Sequence, residues 1–208
     1  GRKRMRQAEE GIALLRERVD SLIVVPNDRL LQIASPSTSV GEAFSMVDNV
    51  LLQGVKSISD LINIPGIINL DFADVKAIME GAGTSLMGIG RAGGENRAKE
   101  AAYLAVSSPL LEIPFSGAKG VLFNVTGGPG LSIWDVNQVA EVITESASEE
   151  ANIIFGAIVD EKMKDEVEIT IIATGFDHGE EEKEERVSEI ADSFSFDDLD
   201  VPAFLRKK

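Results

Sequence analysis

One long amphipathic helix constrains this chain more than any other feature. Ser39 followed by Glu42 reads as a capping box, and Pro65-Gly66 stops the helix it opens. Between them Val40, Ala43, Phe44, Val47, Val50, Leu51, Ile58, Leu61 and Ile62 recur at helical spacing and predict a buried stripe. About 24 residues at roughly 1.5 Å each make a rod of about 36 Å. Such a rod suits a connector between two subdomains.

The two flanks differ in texture. Ahead of the helix, Met5, Ala8, Ile12, Leu15 and Val19 predict a first helix over about the first 19 residues, with Arg2, Lys3, Arg4 and Arg6 on its polar face. Leu22-Ile23-Val24-Val25 reads as a strand buried on both faces, ended by Pro26-Asn27-Asp28. Strand, polar turn and helix are the grammar of an α/β unit, whose ligands lie beyond the carboxyl ends of the strands. After the helix, Asn69 to Asp74 leads into a short helix ending near Glu80. An α+β layer of about four strands and two helices follows, and its last two strands, Asn152–Val159 and Glu166–Thr174, read as a hairpin closed by the polar turn 160–165. From Asp177 the chain is strongly acidic and predicts disorder, with His178 solvated. The end, Asp197 to Lys208, reads as a linear motif of acidic start, apolar middle and basic finish.

Composition removes several function classes. A net charge of -15 argues against nucleic-acid binding. With no Cys and one His, thiolate and multi-His metal sites are excluded, and no metal centre is expected within the chain. No apolar run approaches the roughly 20 residues that cross a bilayer, so a cytoplasmic protein without membrane insertion is expected. The chain opens at Gly1 inside a helical pattern, which suggests a fragment.

Three constellations carry candidate chemistry. Gly88-Ile89-Gly90-Arg91-Ala92-Gly93 matches the dinucleotide-binding G-x-G-x-x-G, but the next strand ends in Asn124-Val125-Thr126, without the acid that holds a ribose. A glycine-rich loop packing a helix closely on a sheet is the expected reading, with an NAD-binding domain the rival. Asp71 and Asp74 stand i, i+3 at a helix start. They read either as N-cap and first-turn acid or as a carboxylate pair that orients a water or holds a cation. Phe44 and Asp48 stand i, i+4 on the long helix, where an aromatic and an acid can stack on a purine and accept from guanine's edge.

Gly1-Arg-Lys-Arg-Met-Arg-Gln-Ala-Glu-Glu-Gly11, Ile23-Val-Val-Pro-Asn-Asp-Arg-Leu30, Pro65-Gly-Ile-Ile-Asn-Leu-Asp-Phe-Ala-Asp-Val75 and Ser107-Ser-Pro-Leu-Leu111 resemble the FtsZ family of tubulin-like division GTPases. Asp200-Val-Pro-Ala-Phe-Leu-Arg206 resembles that family's C-terminal peptide. The family's phosphate-binding loop, G-G-G-T-G-T-G, is absent and belongs upstream of Gly1. The resemblance therefore implies α/β plus α+β architecture. Residues 1–62 would be the rear of a tubulin-like GTP-binding domain with its core helix, and 63–75 a catalytic connecting loop. A C-terminal domain would span 76–176, an acidic linker 177–196 and a partner-binding peptide 197–208.

The resemblance also assigns roles. Arg4 lies near ribose and phosphates, Asn27 contacts guanine, Phe44 packs on the base and Asp48 accepts from its edge. Asn69, Asp71 and Asp74 form the loop that completes a neighbouring subunit's GTPase site, with Asp71 and Asp74 polarising the attacking water and its associated cation, Mg2+ in the assembled polymer. Val201, Ala203, Phe204 and Leu205 grip membrane tethers such as FtsA. It implies a GTP/GDP-binding, head-to-tail filament of the bacterial division ring, with the isolated chain inactive. The alternative is a non-catalytic module that caps or poisons the filament.

Overall fold

The computed structural model describes residues 2–25, 39–111 and 113–176, with the side chains of 2, 40, 43, 44, 46 and 47 outside that description. Asn27, His178 and the terminal peptide with Val201, Ala203, Phe204 and Leu205 therefore lie outside the described residues. In chain order the elements are α1 (Arg2–Arg16), β1 (Ser21–Ile23), α2 (Val40–Asn63), α3 (Phe72–Met79), β2 (Gly83–Gly93), α4 (Arg97–Val106), β3 (Gly120–Gly127), α5 (Ile133–Ser146), β4 (Asn152–Val159) and β5 (Glu166–Thr174). The expected mixed architecture is present, a five-stranded sheet in the order β1-β2-β5-β3-β4 with helices on it.

The long helix forms as its cap predicts. The Ser39 N–H donates to Glu42 Oε2 at 2.7 Å and the Glu42 N–H to Ser39 Oγ at 3.3 Å. Two bonds thus satisfy amides that a helix start otherwise leaves open. Among the described side chains of α2, only part of the expected stripe is buried. Gly54, Ser57 and Leu61 are buried, whereas Leu51 and Ile62 of the expected stripe are exposed, as are Leu52 and Val55. Gly54 lets the helix approach the sheet, for a Cβ there would lie 2.8 Å from Met87 Sδ. The stripe of α1 is not buried either, since Met5, Leu15 and Val19 are exposed. β1 is half-buried rather than enclosed on both faces; among the described residues it pairs with β2 alone, in parallel, at the edge of the sheet.

The expected hairpin does not exist. β5 lies between β2 and β3, antiparallel to both, while β4 pairs with β3 in parallel. The reason is visible in β5 itself. Val167, Ile169, Ile171 and Ala173 are buried on one face and Ile172 on the other. Apolar residues at both parities need cover on both faces, which a central strand receives and an edge hairpin does not. The connection 160–165 therefore passes the end of β3 instead of closing a tight turn.

The glycine motif is not a loop. β2 runs straight through it to Gly93. A Cβ on Gly88 would strike the Ala105 carbonyl, and one on Gly90 would strike the Ala101 carbonyl and sit 2.6 Å from Ala105 N. The alanine face of α4, with Ala98, Ala101, Ala102 and Ala105 buried, thus lies directly on strand backbone. Close packing is the use these glycines serve. One core layer joins α4 and α5 to the sheet through Val139, Ile143, Val121, Phe123 and Ile169, with Phe123 stacked on Phe155 at 5.1 Å. The opposite layer joins α2 and α3 through Leu61, Val75, Ile78, Leu122 and Ile172.

Candidate functional site

The segment joining α2 to α3 is held on the free edge of β4. Ile67 N–H donates to the Ala157 carbonyl at 2.8 Å, Ala157 N–H donates to the Ile68 carbonyl at 3.0 Å, and Gly66 lies so close that a Cβ would strike the Ala157 oxygen. Asn69 turns back on the loop, its Oδ1 accepting from the Gly66 N–H at 2.6 Å. These bonds also occupy an edge that would otherwise pair with another strand.

Asp71 and Asp74 follow as a capping box of α3. Asp71 Oδ1 accepts from the Asp74 N–H at 2.9 Å, and Asp74 Oδ2 accepts from the Asp71 N–H at 3.2 Å. The cap reading of the pair is therefore correct. It leaves the second oxygen of each carboxylate without a hydrogen-bond or ion-pair partner among the described residues. Asp71 is exposed and Asp74 half-buried. Such oxygens are hard donors of the kind Mg2+ takes when it keeps several waters, and they can accept from a water. They do not make a metal cage, and no cluster of metal-ligating side chains occurs among the described residues.

The base-contacting candidates lie elsewhere. Arg4 is exposed on α1 and Asp48 is exposed on α2; for Phe44 only the helical backbone is described. From Asp48 to the end of α2 at Asn63 the rise is about 22 Å. Asn69, Asp71 and Asp74 follow one another in the segment after α2, with Asp71 and Asp74 bonded to each other, whereas Asp48 stands in the first half of α2.

Two polar features escaped the sequence reading. Asn124 is buried in β3 among apolar residues, with Nδ2 donating to Thr126 Oγ1 at 3.2 Å and Oδ1 without a partner among the described residues. Its only sequence signal is a polar residue interrupting Val121–Val125. Beside it, Lys56 and Asp60 pair at 3.2 Å on α2 and line a cleft of about 340 Å³ with Thr126, Ile158 and Glu161. The second feature is Arg97. Its guanidinium donates to the carbonyls of Gly130 at 2.7 Å and Asp165 at 3.1 Å and pairs with Asp135 at 3.4 Å. Burial opposes ionisation of Asp135, but hydrogen bonds from Ser132 and the Arg97 charge outweigh it and hold the carboxyl below its ordinary range.

Residues 83–177 match the C-terminal domain of the FtsZ family. The structure is similar to an FtsZ dimer from M. jannaschii, with TM-score 0.80 and 38% identity over 85% of this chain and 51% of that one. A tryptophan-to-tyrosine mutant of M. jannaschii FtsZ matches with TM-score 0.80 and 39% identity, over 85% of this chain and 53% of that one. CetZ2 from Haloferax volcanii, in a GTPgS-bound protofilament, shares the fold at TM-score 0.63 and 15% identity, over 88% of this chain and 55% of that one. The chain spans about half the length of these proteins.

Proposed function

The chain belongs to the FtsZ family, and on that premise we propose that it acts within a GTP-dependent, filament-forming protein of the bacterial division ring. Its place would be the cytoplasm at the division site. Arg4, Asn27, Phe44 and Asp48 contact a GTP or GDP bound between this chain and a phosphate-binding half. Asn69, Asp71 and Asp74 serve the nucleotide of the next subunit in a head-to-tail filament. The observation that carries this reading is the roughly 22 Å of helix between Asp48 and the end of α2. One rigid element presents a base-contacting face near one end and a carboxylate loop beyond the other, which suits two nucleotides in two subunits better than one. The dimeric M. jannaschii FtsZ supports self-association.

The chemistry is water attack on the GTP γ-phosphorus, which breaks its bond to the β–γ bridging oxygen and releases GDP and inorganic phosphate; a Mg2+ ion bound with the nucleotide would offset phosphate charge. Within it, the free oxygens of Asp71 and Asp74 accept from and orient the water, and Asn69 holds the loop in shape. Positioned charge of this sort is the main contribution a protein makes to phosphoryl transfer. To the same proposal belong the division into 1–62, 63–75, 76–176, 177–196 and 197–208, and the grip of Val201, Ala203, Phe204 and Leu205 on tethers such as FtsA.

The test is reconstitution. The chain alone is expected to be inactive, and mixing it with a separate polypeptide carrying the phosphate-binding half of M. jannaschii FtsZ is expected to restore GTP hydrolysis. Asp74→Ala should lower that rate on the order of 10²–10³-fold while association persists. If Asp74 is only a cap, the variant melts a little lower and its rate is unchanged, which overturns the catalytic role. Association without hydrolysis by the unmodified pair would favour the alternative, a non-catalytic module that caps the filament.

A further inference from the structure

The segment that carries Asp71 and Asp74 is tied to the sheet on both sides of the two carboxylates. Before them, the Ala157 N–H donates to the Ile68 carbonyl at 3.0 Å. After them, the Thr174 hydroxyl at the end of β5 donates to the carbonyl of Ile78, in the last turn of α3, at 3.2 Å. The Gly120 carbonyl shares that proton at 3.4 Å. In the strand register Ala157 stands beside Val125 and Thr174 beside Gly120. The two ties are therefore about 16 Å apart along β3.

The second tie has work that apolar packing cannot do. α3 has eight residues, too few to hold a helix by its own bonds. Its buried residues, Val75 and Ile78, pack with Leu61, Leu122 and Ile172. Such contact is non-directional and tolerates sliding of the helix on the sheet. Of the last-turn carbonyls, those of Lys76 and Met79 accept from Glu80 and Ala82 N–H groups close by in the chain. The Ile78 carbonyl instead takes its bond from another element. Thr174 is 2% exposed and Ile78 4%, so water does not replace that donor cheaply. Gly120 makes room for it, because a Cβ there would strike Thr174 Oγ1.

We propose that Thr174 is a positioning residue for GTP hydrolysis. Its hydroxyl fixes where α3 ends on the sheet, and through the eight-residue helix it fixes where Asp71 and Asp74 are presented. The proposal rests on the role given above to those two carboxylates. Without the hydroxyl the Ile78 carbonyl is buried and unpaired, and the helix end moves to find a donor. The capping box moves with it, since Asp71 and Asp74 bond only to each other's backbone among the described residues. A displacement of about 1 Å at a reacting group is enough to cost on the order of 100-fold in rate.

The test uses the reconstituted pair, assayed well below the melting temperature of each variant. Thr174→Val keeps the shape and removes the hydroxyl. It is expected to lower kcat on the order of 10- to 100-fold while KM for GTP and association with the phosphate-binding polypeptide stay unchanged, because the hydroxyl touches neither. Thr174→Ser, which keeps the hydroxyl, should restore kcat. Gly120→Ala, which displaces the same hydroxyl, should act like Thr174→Val. A Thr174→Val that melts lower but hydrolyses at the unmodified kcat overturns the proposal, as does lost association or a Thr174→Ser no faster than Thr174→Val. Should Thr174→Val fail to fold, Thr174→Ala, which removes the hydroxyl without adding bulk, decides by the same measurements. If the unmodified pair hydrolyses no GTP, or Asp74→Ala leaves its rate unchanged, the catalytic reading falls and this proposal with it. A slow Asp74→Ala beside an unimpaired Thr174→Val sinks only the proposal.

Discussion

Asp74 and Asp135 hold the same position in two helices. Each is the third residue after its cap and accepts the cap residue's N–H. Their surroundings set them apart. Asp135 is enclosed by Ser132 and Arg97, so its charge is spent on structure, whereas Asp74 makes no ion pair among the described residues and keeps an oxygen to offer. The spacing i, i+3 is legible in sequence for both, but the difference is not, because the acceptors of Arg97 lie 33 to 68 residues away and two of them are backbone carbonyls. The lowered carboxyl of Asp135 also fixes a pH dependence. A folded-state value below the unfolded one contributes stability in full above pH of about 4, and that contribution is lost as pH falls through the folded value. Asp135→Asn is therefore expected to be less stable at neutral pH and to lose less on acidification. Urea midpoints from neutral pH down to about pH 2 check this, and parallel acid limbs for the two proteins would refute it.

At the scale of elements, α2 and β2 are instructive in opposite ways. The capping box of α2 was legible because it is a local exchange of hydrogen bonds between Ser39 and Glu42. Among the described side chains, its apolar stripe overstated what is buried, because Leu51 and Ile62 are exposed while Gly54, Ser57 and Leu61 face the sheet. In β2 the glycines resembled a nucleotide loop, yet they are strand residues that admit the backbone of α4. Gly90→Ala is expected to destabilise the chain by about 3 kcal/mol or more, since the obstruction is helix backbone and not a movable side chain. Thermal or urea unfolding measures this; a loss below about 1 kcal/mol would show that α4 can lift from the strand at little cost. Gly81→Ala makes an informative contrast, for nothing stands within 4 Å of its Cβ and only its φ of +63° opposes the change.

On the scale of the whole molecule, stability is unevenly distributed. β3 and β5 are central and buried on both faces, whereas α1 contacts little and exposes Met5, Leu14 and Leu15. Limited proteolysis is expected to remove the first segments early and to leave a core near 76–176, with the slowest amide exchange in β3 and β5. Equal protection of α1 and β5 would contradict this. Among the described residues no helix is long and apolar enough to cross a membrane. The sequence by itself determined the periodic elements, the capping box of α2, the mixed fold class and, through segments such as N-L-D-F-A-D, the family. These depend on residues within a few positions of one another or on a contiguous motif. Only the tertiary structure decided that β5 enters between β2 and β3, that the glycine motif is a strand and that Arg97 gathers three distant segments. Those outcomes turn on which surfaces meet after the chain closes on itself, and local spacing carries no information about residues brought together from far along the chain.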